Sequence, residues 1–264
     1  MNKTIGLILK ANKIEAKEAF KMAKKFLLDR KYKVFTKISN ELPKNTEWVM
    51  VFGGDGAVLS TANKLAKLNV PLIGVNFGHR GYICDIHPGH DDLVDCLKKL
   101  LKKQFIIKPC TRIKFNIISD KKIKKSMDAL NDIVVGGITR AVWLNFKIKQ
   151  GKAIKHAKLV GDGIIFATKV GSTAYNLYAG GPVMLTNQFC VTISNALLDS
   201  NYFLPNTKSL VCPVDAIFEV TSQRDKKFLP YVVADGQRDY RLKKNDKVII
   251  GRSKLITKLI ELKK

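Results

Sequence analysis

Residues 51–57 read VFGGDGA: an apolar run ends at Gly53-Gly54, followed by Asp55 and then Gly56. Glycines let backbone N–H groups approach an anion closely, and a helix N-terminus beyond them adds partial positive charge. The segment therefore predicts a phosphate seat near Gly54 to Ala57. A bare carboxylate repels phosphate oxygens, so Asp55 needs another reason to be there. Either a divalent cation bridges the two, or the carboxylate accepts the proton of an attacking hydroxyl. Both belong to phosphoryl transfer, where positioning and charge neutralisation do most of the work. The competing use is a helix cap, common for Asp ahead of an apolar run. Neither GxxxxGK[ST] nor GxGxxG occurs, which excludes the P-loop lysine and the dinucleotide fingerprint.

The elements around this turn have two grammars. Up to about Pro109 strand and helix alternate. TIGLIL, YKVFTKI, EWVMVFG and VPLIGVNFG read as strands. Glu15 to Arg30, Ala57 to Leu68 and DDLVDCLKKLLKK read as amphipathic helices, with Ala16, Ala19, Phe20, Ala23, Phe26 and Leu27 on one face of the first. Alternation of this kind implies a parallel sheet with ligands at the carboxyl ends of its strands, where VFGGDG and GVNFGHRG both lie. After Pro109 short β-rich segments follow one another, from TRIKFNIIS to YVVADGQ, with turn signals at Gln150-Gly151 and in the lysine-rich stretch 119–126. They suggest an antiparallel sandwich or closed sheet, interrupted by one helix near STAYNLYAGG. The expected organisation is an α/β N-terminal domain with a parallel sheet over 1–109 and a mainly β C-terminal domain over 110–250. Residues 251–264 are expected to pack back on the first.

Composition excludes several classes. The chain has 264 residues, 46% of them hydrophobic, which suits a folded globular protein. No apolar stretch is long enough to cross a bilayer, and MNKTIGLILKANK is too briefly apolar for a signal peptide; a cytoplasmic location is expected. Five cysteines, widely spaced and without a CxxC pair, suit a reducing compartment. His79, His87 and His90 lie near Cys84 and Asp85, but the spacing fits no zinc pattern and no metal ligands are assigned. The formal net charge is +25, with lysines spread along the whole chain, which reads as a solvated surface rather than a nucleic-acid footprint. Neither specific nucleic acid nor membrane is expected as a partner.

Further stretches carry chemistry: NFGHRGYICD (76–85), ALNDIVVGG (129–137), GDGIIFATKVGSTAYNLYAGGPV (161–183) and VADGQ (233–237). With GGDG, in this order, they resemble the NAD kinase family over about residues 50 to 240. The resemblance implies a two-domain NAD kinase-like fold with the active site between the domains. The implied reaction moves the terminal phosphoryl group of ATP, or of polyphosphate, to the 2′-hydroxyl of the adenosine ribose of NAD, giving NADP. Mg²⁺ is expected to arrive with the phosphoryl donor, and the chain to assemble as a dimer or tetramer.

Carried over position by position, the resemblance makes Asp55 the catalytic carboxylate and Gly53, Gly54 and Gly56 the phosphate- and nucleotide-binding turn. Asn131-Asp132 matches the family's Asn-Glu pair: an amide can read an adenine or amide edge, and a carboxylate can accept two ribose hydroxyls. Thr173, Ala174 and Tyr175 in GSTAY are expected at the dinucleotide; Tyr175 either stacks on a base or packs into the core against Leu177 and Tyr178. Asp162 and Asp235 match acidic motif positions, each with a turn role as the local alternative. Tyr82 replaces an aromatic of the NAD pocket. The chain also departs from the family pattern. Ala57 stands for Thr, Asp132 for Glu, Lys169-Val170 for Pro-Thr, and the segment 184–213 lacks the usual His and Arg. Two further readings stand beside the kinase: a non-catalytic dinucleotide sensor, and a GGDG kinase acting on a lipid or sugar.

Overall fold

The computed structural model describes residues 3–78, 81–137, 141–194, 197–198, 208–222 and 229–263. They form two compact units, Met1–Cys110 with Ile256–Lys264, and Thr111–Leu255.

The first unit opens with β1 (Thr4–Leu9), α1 (Ile14–Asp29), β2 (Lys33–Phe35), β3 (Thr46–Gly53), α2 (Asp55–Leu68), β4 (Leu72–Asn76) and α3 (Leu93–Leu101). β1, β3 and β4 are near-continuous apolar runs because helices leave little of a parallel sheet wet. Their order is β2-β1-β3-β4, all parallel. Each helix turns its small or apolar stripe inward: Ala16, Ala23 and Leu27 of α1, and Val58, Ala62, Leu65 and Ala66 of α2, are buried. Asp92 caps α3 by accepting the N–H groups of Val94 and Asp95 at 2.7 and 3.2 Å. The core gathers Leu7, Trp48, Met50, Phe52, Ile73, Val75 and Leu97.

β5 (Phe105–Ser119) leaves this unit and enters the second. There follow β6 (Lys122–Ala129), β7 (Asp132–Gly136), β8 (Val142–Gln150), β9 (Ala153–Gly161) and β10 (Gly163–Ala167). After a 3-10 turn (Gly171–Thr173) and α4 (Tyr175–Tyr178) come β11 (Phe189–Ser194), β12 (Leu197–Leu198), β13 (Ser209–Cys212) and β14 (Ile217–Ser222). β15 (Tyr231–Ala234), β16 (Arg238–Arg241) and β17 (Lys247–Leu262) complete the order. One sheet runs β13-β11-β10-β7-β15-β16, antiparallel throughout. In the other, β12, β9, β8, β14 and the first part of β17 are neighbours, with β5 paired to β17 and β6 to β5. The sheets pack face to face through Phe146 and Phe218 of one and Phe166 and Phe189 of the other, ring centroids 5.1–6.4 Å apart. The last part of β17 belongs to the first unit, where Leu259 pairs with Leu72 of β4 in parallel.

Four sequence readings change. α2 begins at Asp55, ahead of Ala57, because Gly54 is its N-cap. β2 holds only Lys33–Phe35 of the strand read in YKVFTKI. The hairpin read in 119–126 turns at Asp120-Lys121, both at positive φ, and its lysines continue as β6. β5 starts ahead of Pro109, which occupies an exposed strand position that needs no ladder N–H.

Candidate active site

In the first unit the chain order reverses between β1 and β3, which have β2 and β4 on their far sides. The carboxyl ends of strands at such a reversal leave a crevice for ligands. The N–H groups of Lys10 and Ala11 both reach the Phe52 carbonyl there, at 3.0 and 3.1 Å, and Gly53 is in register with Asn76. Asp55 follows immediately, as the first residue of α2. It does not cap its own helix, since no side chain caps α2. Its carboxylate instead accepts the backbone N–H of Tyr82 at 2.9 Å and of Ile83 at 3.2 Å, from the segment after β4. The Ala57 N–H is spent on the Gly54 carbonyl at 2.9 Å, which narrows the predicted phosphate seat to the amides ahead of it. Beneath the turn lies the buried Cys84, whose Sγ is 3.9 Å from the Gly53 carbonyl. Burial first, and the Asp55 charge second, push the Cys84 thiol above its ordinary range, so it stays protonated. Tyr82 is 62% exposed.

The second unit holds a cavity of about 340 Å³ lined by Asn131, Asp132, Val134, Ala174, Tyr175, Val233, Asp235 and Gly236. Asp235 sits in the tight turn between β15 and β16 at φ 52°, a left-handed conformation that Asp tolerates. Its carboxylate accepts the N–H of Leu130 at 3.0 Å, of Asn131 at 2.7 Å and of Asp132 at 3.4 Å. In return the Asp235 N–H donates to the Asp132 carbonyl at 3.0 Å. So Asp235 is both turn residue and clamp, and the clamp presents two side chains to the cavity. The Asn131 carboxamide oxygen is buried with no hydrogen-bond partner among the described residues, a costly state that a ligand N–H would relieve. The Asp132 carboxyl is buried as well; desolvation first, then the Asp235 charge, push it up to about 7. The fully buried Arg112 adds positive charge near Asp235 and Asp128, while its burial works against its own ionisation.

The GSTAY segment is built onto this clamp. A Cβ on Gly171 would lie 2.0 Å from the Asn131 carbonyl oxygen, so only glycine allows the contact. Thr168 locks the same place: its hydroxyl donates to the Leu130 carbonyl at 2.5 Å and accepts the Gly171 N–H at 3.2 Å. Ser172 is buried, donating to the Lys169 carbonyl at 2.7 Å and accepting the Met184 N–H at 3.0 Å. Asn176, also buried, donates to the Ser172 and Pro182 carbonyls and accepts the Thr192 hydroxyl at 2.6 Å. The polar residues of GSTAYNLYAGGP thus hold the loop, and Ala174 and Tyr175 face the cavity. Tyr175, Leu177 and Tyr178 are 49%, 42% and 76% exposed, which rules out the core-packing alternative for Tyr175.

Asn131, Asp132, Ala174, Tyr175 and Asp235 therefore share one cavity. Asp162 and Thr173 are not among its lining residues. The Asp162 backbone ties β10 to its neighbours through Gly137 at 2.9 Å and Ser194 at 3.1 Å, and the Thr173 hydroxyl donates to the Val170 carbonyl at 3.3 Å. Gly53, Gly54, Asp55, Gly56 and Tyr82 lie in the other unit. Sequence reasoning passed over Thr168 and Asn176, although both stand inside the quoted motif. His79, Arg80 and most of 195–207 lie outside the described residues. Among those described, no group of three or more His, Cys, Asp or Glu could hold a metal ion. No helix among them is long and apolar enough to cross a membrane.

A doubly wound unit with an acid in its glycine turn, joined to a β sandwich whose mostly apolar cavity carries Asn131, Asp132 and Asp235, defines a two-domain nucleotide-handling protein. Comparison with known proteins makes this specific. Residues 36–105 match the model of the ATP-NAD kinase N-terminal domain, and residues 130–262 that of the ATP-NAD kinase C-terminal domain. An NAD kinase of Clostridium botulinum (strain Kyoto / Type A2) is 33% identical over 231 residues, covering 86% of this chain and 77% of that protein. One from Caldanaerobacter subterraneus subsp. tengcongensis is 27% identical over 277 residues, covering 99% and 94%. In fold the chain is similar to an Archaeoglobus fulgidus NAD kinase solved in complex with ATP, at TM-score 0.75 and 23% identity over 98% of this chain and 93% of that one. It is also similar to yeast NADH kinase complexed with NADH, at TM-score 0.79 and 16% identity over 100% and 84%. The chain belongs to the NAD kinase family and is an enzyme, a nucleotide-binding transferase.

Proposed function

We propose that the protein transfers the terminal phosphoryl group of ATP, or of polyphosphate, to the 2′-hydroxyl of the adenosine ribose of NAD, forming NADP. The observation that carries this reading is the Asp55 carboxylate, at the first turn of α2 yet held away from capping by the Tyr82 and Ile83 amides. Held so, it is available to a sugar hydroxyl. Asp55 takes the hydroxyl proton as the ribose oxygen attacks the phosphorus, and the donor's diphosphate, or shortened polyphosphate, leaves. Mg²⁺ enters as part of the donor and offsets its charge; the helix N-terminus at Gly54 adds its own partial charge.

The cavity supplies the acceptor end. At about 340 Å³ it suits one nucleoside rather than a whole dinucleotide. The unpartnered Asn131 oxygen takes an adenine amino group, Asp132 accepts ribose hydroxyls, and the half-exposed Tyr175 ring offers a stacking face. An NAD kinase solved with ATP and an NADH kinase solved with NADH support a nucleotide donor and a dinucleotide acceptor. The chain is further proposed to self-associate through the apolar surface at Tyr178, Val183 and Leu185, the last 83% exposed.

The test is to incubate the purified protein with NAD, Mg²⁺ and either ATP or polyphosphate, and to measure NADP. Asp55→Asn is expected to lower kcat by ~10²–10⁴-fold, the usual range for general-base assistance. A variant within a few-fold of wild type discards the role of Asp55. Tight NAD binding without turnover on either donor replaces the kinase with a dinucleotide sensor.

A further inference from the structure

Asp55 is only as well placed as the amides that hold it, and these follow Asn76 in the chain. Asn76 ends β4 opposite Gly53. Its Oδ1 accepts the Gly78 N–H at 2.9 Å. Its carboxamide also meets the chain further on, since a Cβ on Gly81 would lie 2.6 Å from Asn76 Nδ2. One residue later come Tyr82 and Ile83, whose N–H groups reach Asp55.

His87 decides which way the Asn76 amide faces. His87 Nε2 lies 3.1 Å from the Cys84 carbonyl, which can only accept, so Nε2 carries the proton. In the neutral ring Nδ1 is then an acceptor, and it faces Asn76 Nδ2 at 3.5 Å. The His87 contact and the Gly78 contact agree: oxygen toward Gly78, nitrogen toward the imidazole. The His87 backbone is tied in turn, its N–H donating to Asp91 Oδ2 at 2.7 Å.

We propose that Asn76, oriented by His87, is a positioning residue for Asp55: it holds Gly78 and Gly81, and through them the two amides that aim the carboxylate. The catalytic part of this inference rests on the phosphoryl-transfer reading above. Asn76 touches neither donor nor acceptor in this scheme, so its loss acts on turnover and not on substrate grip. Misplacement of a catalytic group by ~1 Å costs on the order of 10²-fold in rate.

Two measurements test it. In steady-state kinetics Asn76→Ala is expected to lower kcat by ~10–100-fold while KM for NAD and for MgATP stays within about twofold. Asn76→Asp keeps the acceptor for Gly78 and should fall between Ala and wild type. His87→Gln places an amide oxygen and nitrogen near the two ring nitrogens and should recover most of what His87→Leu loses. Amide hydrogen exchange at Tyr82 and Ile83 should quicken in Asn76→Ala and in His87→Leu, whether or not the protein is catalytically active. Unchanged kcat and unchanged exchange in Asn76→Ala overturn the proposal. So does a loss that appears in KM alone, or a melting temperature that falls without faster exchange at these amides. Equal losses in His87→Gln and His87→Leu overturn the part given to His87. If the wild type makes no NADP, the proposed reaction fails on its own, and exchange at the two amides still decides whether Asn76 holds Tyr82 and Ile83 against Asp55.

Discussion

Asp132→Asn probes the two acids that the fold buries side by side. Asp235 receives three backbone N–H groups, and Asp132 lies buried beside it. Desolvation, then the Asp235 charge, lift the Asp132 carboxyl from 3.8 to about 7. In the unfolded chain the same acid ionises near its ordinary value, so between about pH 4 and pH 7 the folded state binds the extra proton. Its contribution to stability is therefore full below pH ~4 and is lost as pH rises through about 7. At ~1.4 kcal/mol per pH unit the whole interval is worth up to about 4 kcal/mol. Asparagine has nearly the same shape and no charge to desolvate. The variant is therefore expected to be more stable than wild type at pH 8 by roughly 2–4 kcal/mol, with the difference shrinking toward pH 4.5. Urea unfolding across pH 4.5–8.5 measures it. A variant less stable by a constant amount at every pH would refute the reasoning. The same experiment has a binding arm. Ribose hydroxyls donate best to an ionised carboxylate, so adenosine nucleotides should bind wild type more tightly as pH rises through about 7, and Asp132→Asn weakly and with a flat profile.

Two other changes probe the loop over the cavity. Gly171→Ala drives a methyl group to 2.0 Å from the Asn131 carbonyl, a main-chain collision expected to cost about 3 kcal/mol or more and to empty the cavity of nucleotide; thermal melting and equilibrium binding check it. Asn176→Leu strips the Ser172 and Pro182 carbonyls and the Thr192 hydroxyl of a buried partner, so a loss of roughly 3–5 kcal/mol is expected in denaturant unfolding.

The two grammars of the sequence carried over because each rests on local physics. Apolar runs alternating with 3.6-residue stripes placed β1, β3, β4 and the buried faces of α1 and α2 nearly residue by residue. Boundaries were weaker where glycine or proline was read as punctuation. Asp55 looked like part of a turn and is the first residue of a helix; Pro109 looked like a break and lies inside a strand. β6 was hidden because its exposed lysines carry almost no alternation until Met127 and Ala129 turn inward. Most of the site's polar logic was beyond local reading. The Asp235 carboxylate meets amides 103 to 105 residues away, and Asp55 meets amides 27 and 28 residues away. Motif likeness marked these acids as important, but only the folded chain reveals that their partners are backbone N–H groups.

Residues 256–262 have a consequence for synthesis. Leu259 pairs with Leu72 along the free side of β4, Ile260 enters the core with Trp48 and Leu97, and the Leu262 N–H donates to Asp85 at 2.8 Å. The sheet of the first unit thus waits for residues 256–262, supplied after the whole of the second unit, before it is closed. Until then β4 presents an open strand edge, an invitation to pair with other nascent chains. A chain that stops short of Ile256 would leave the sheet of the first unit unsealed.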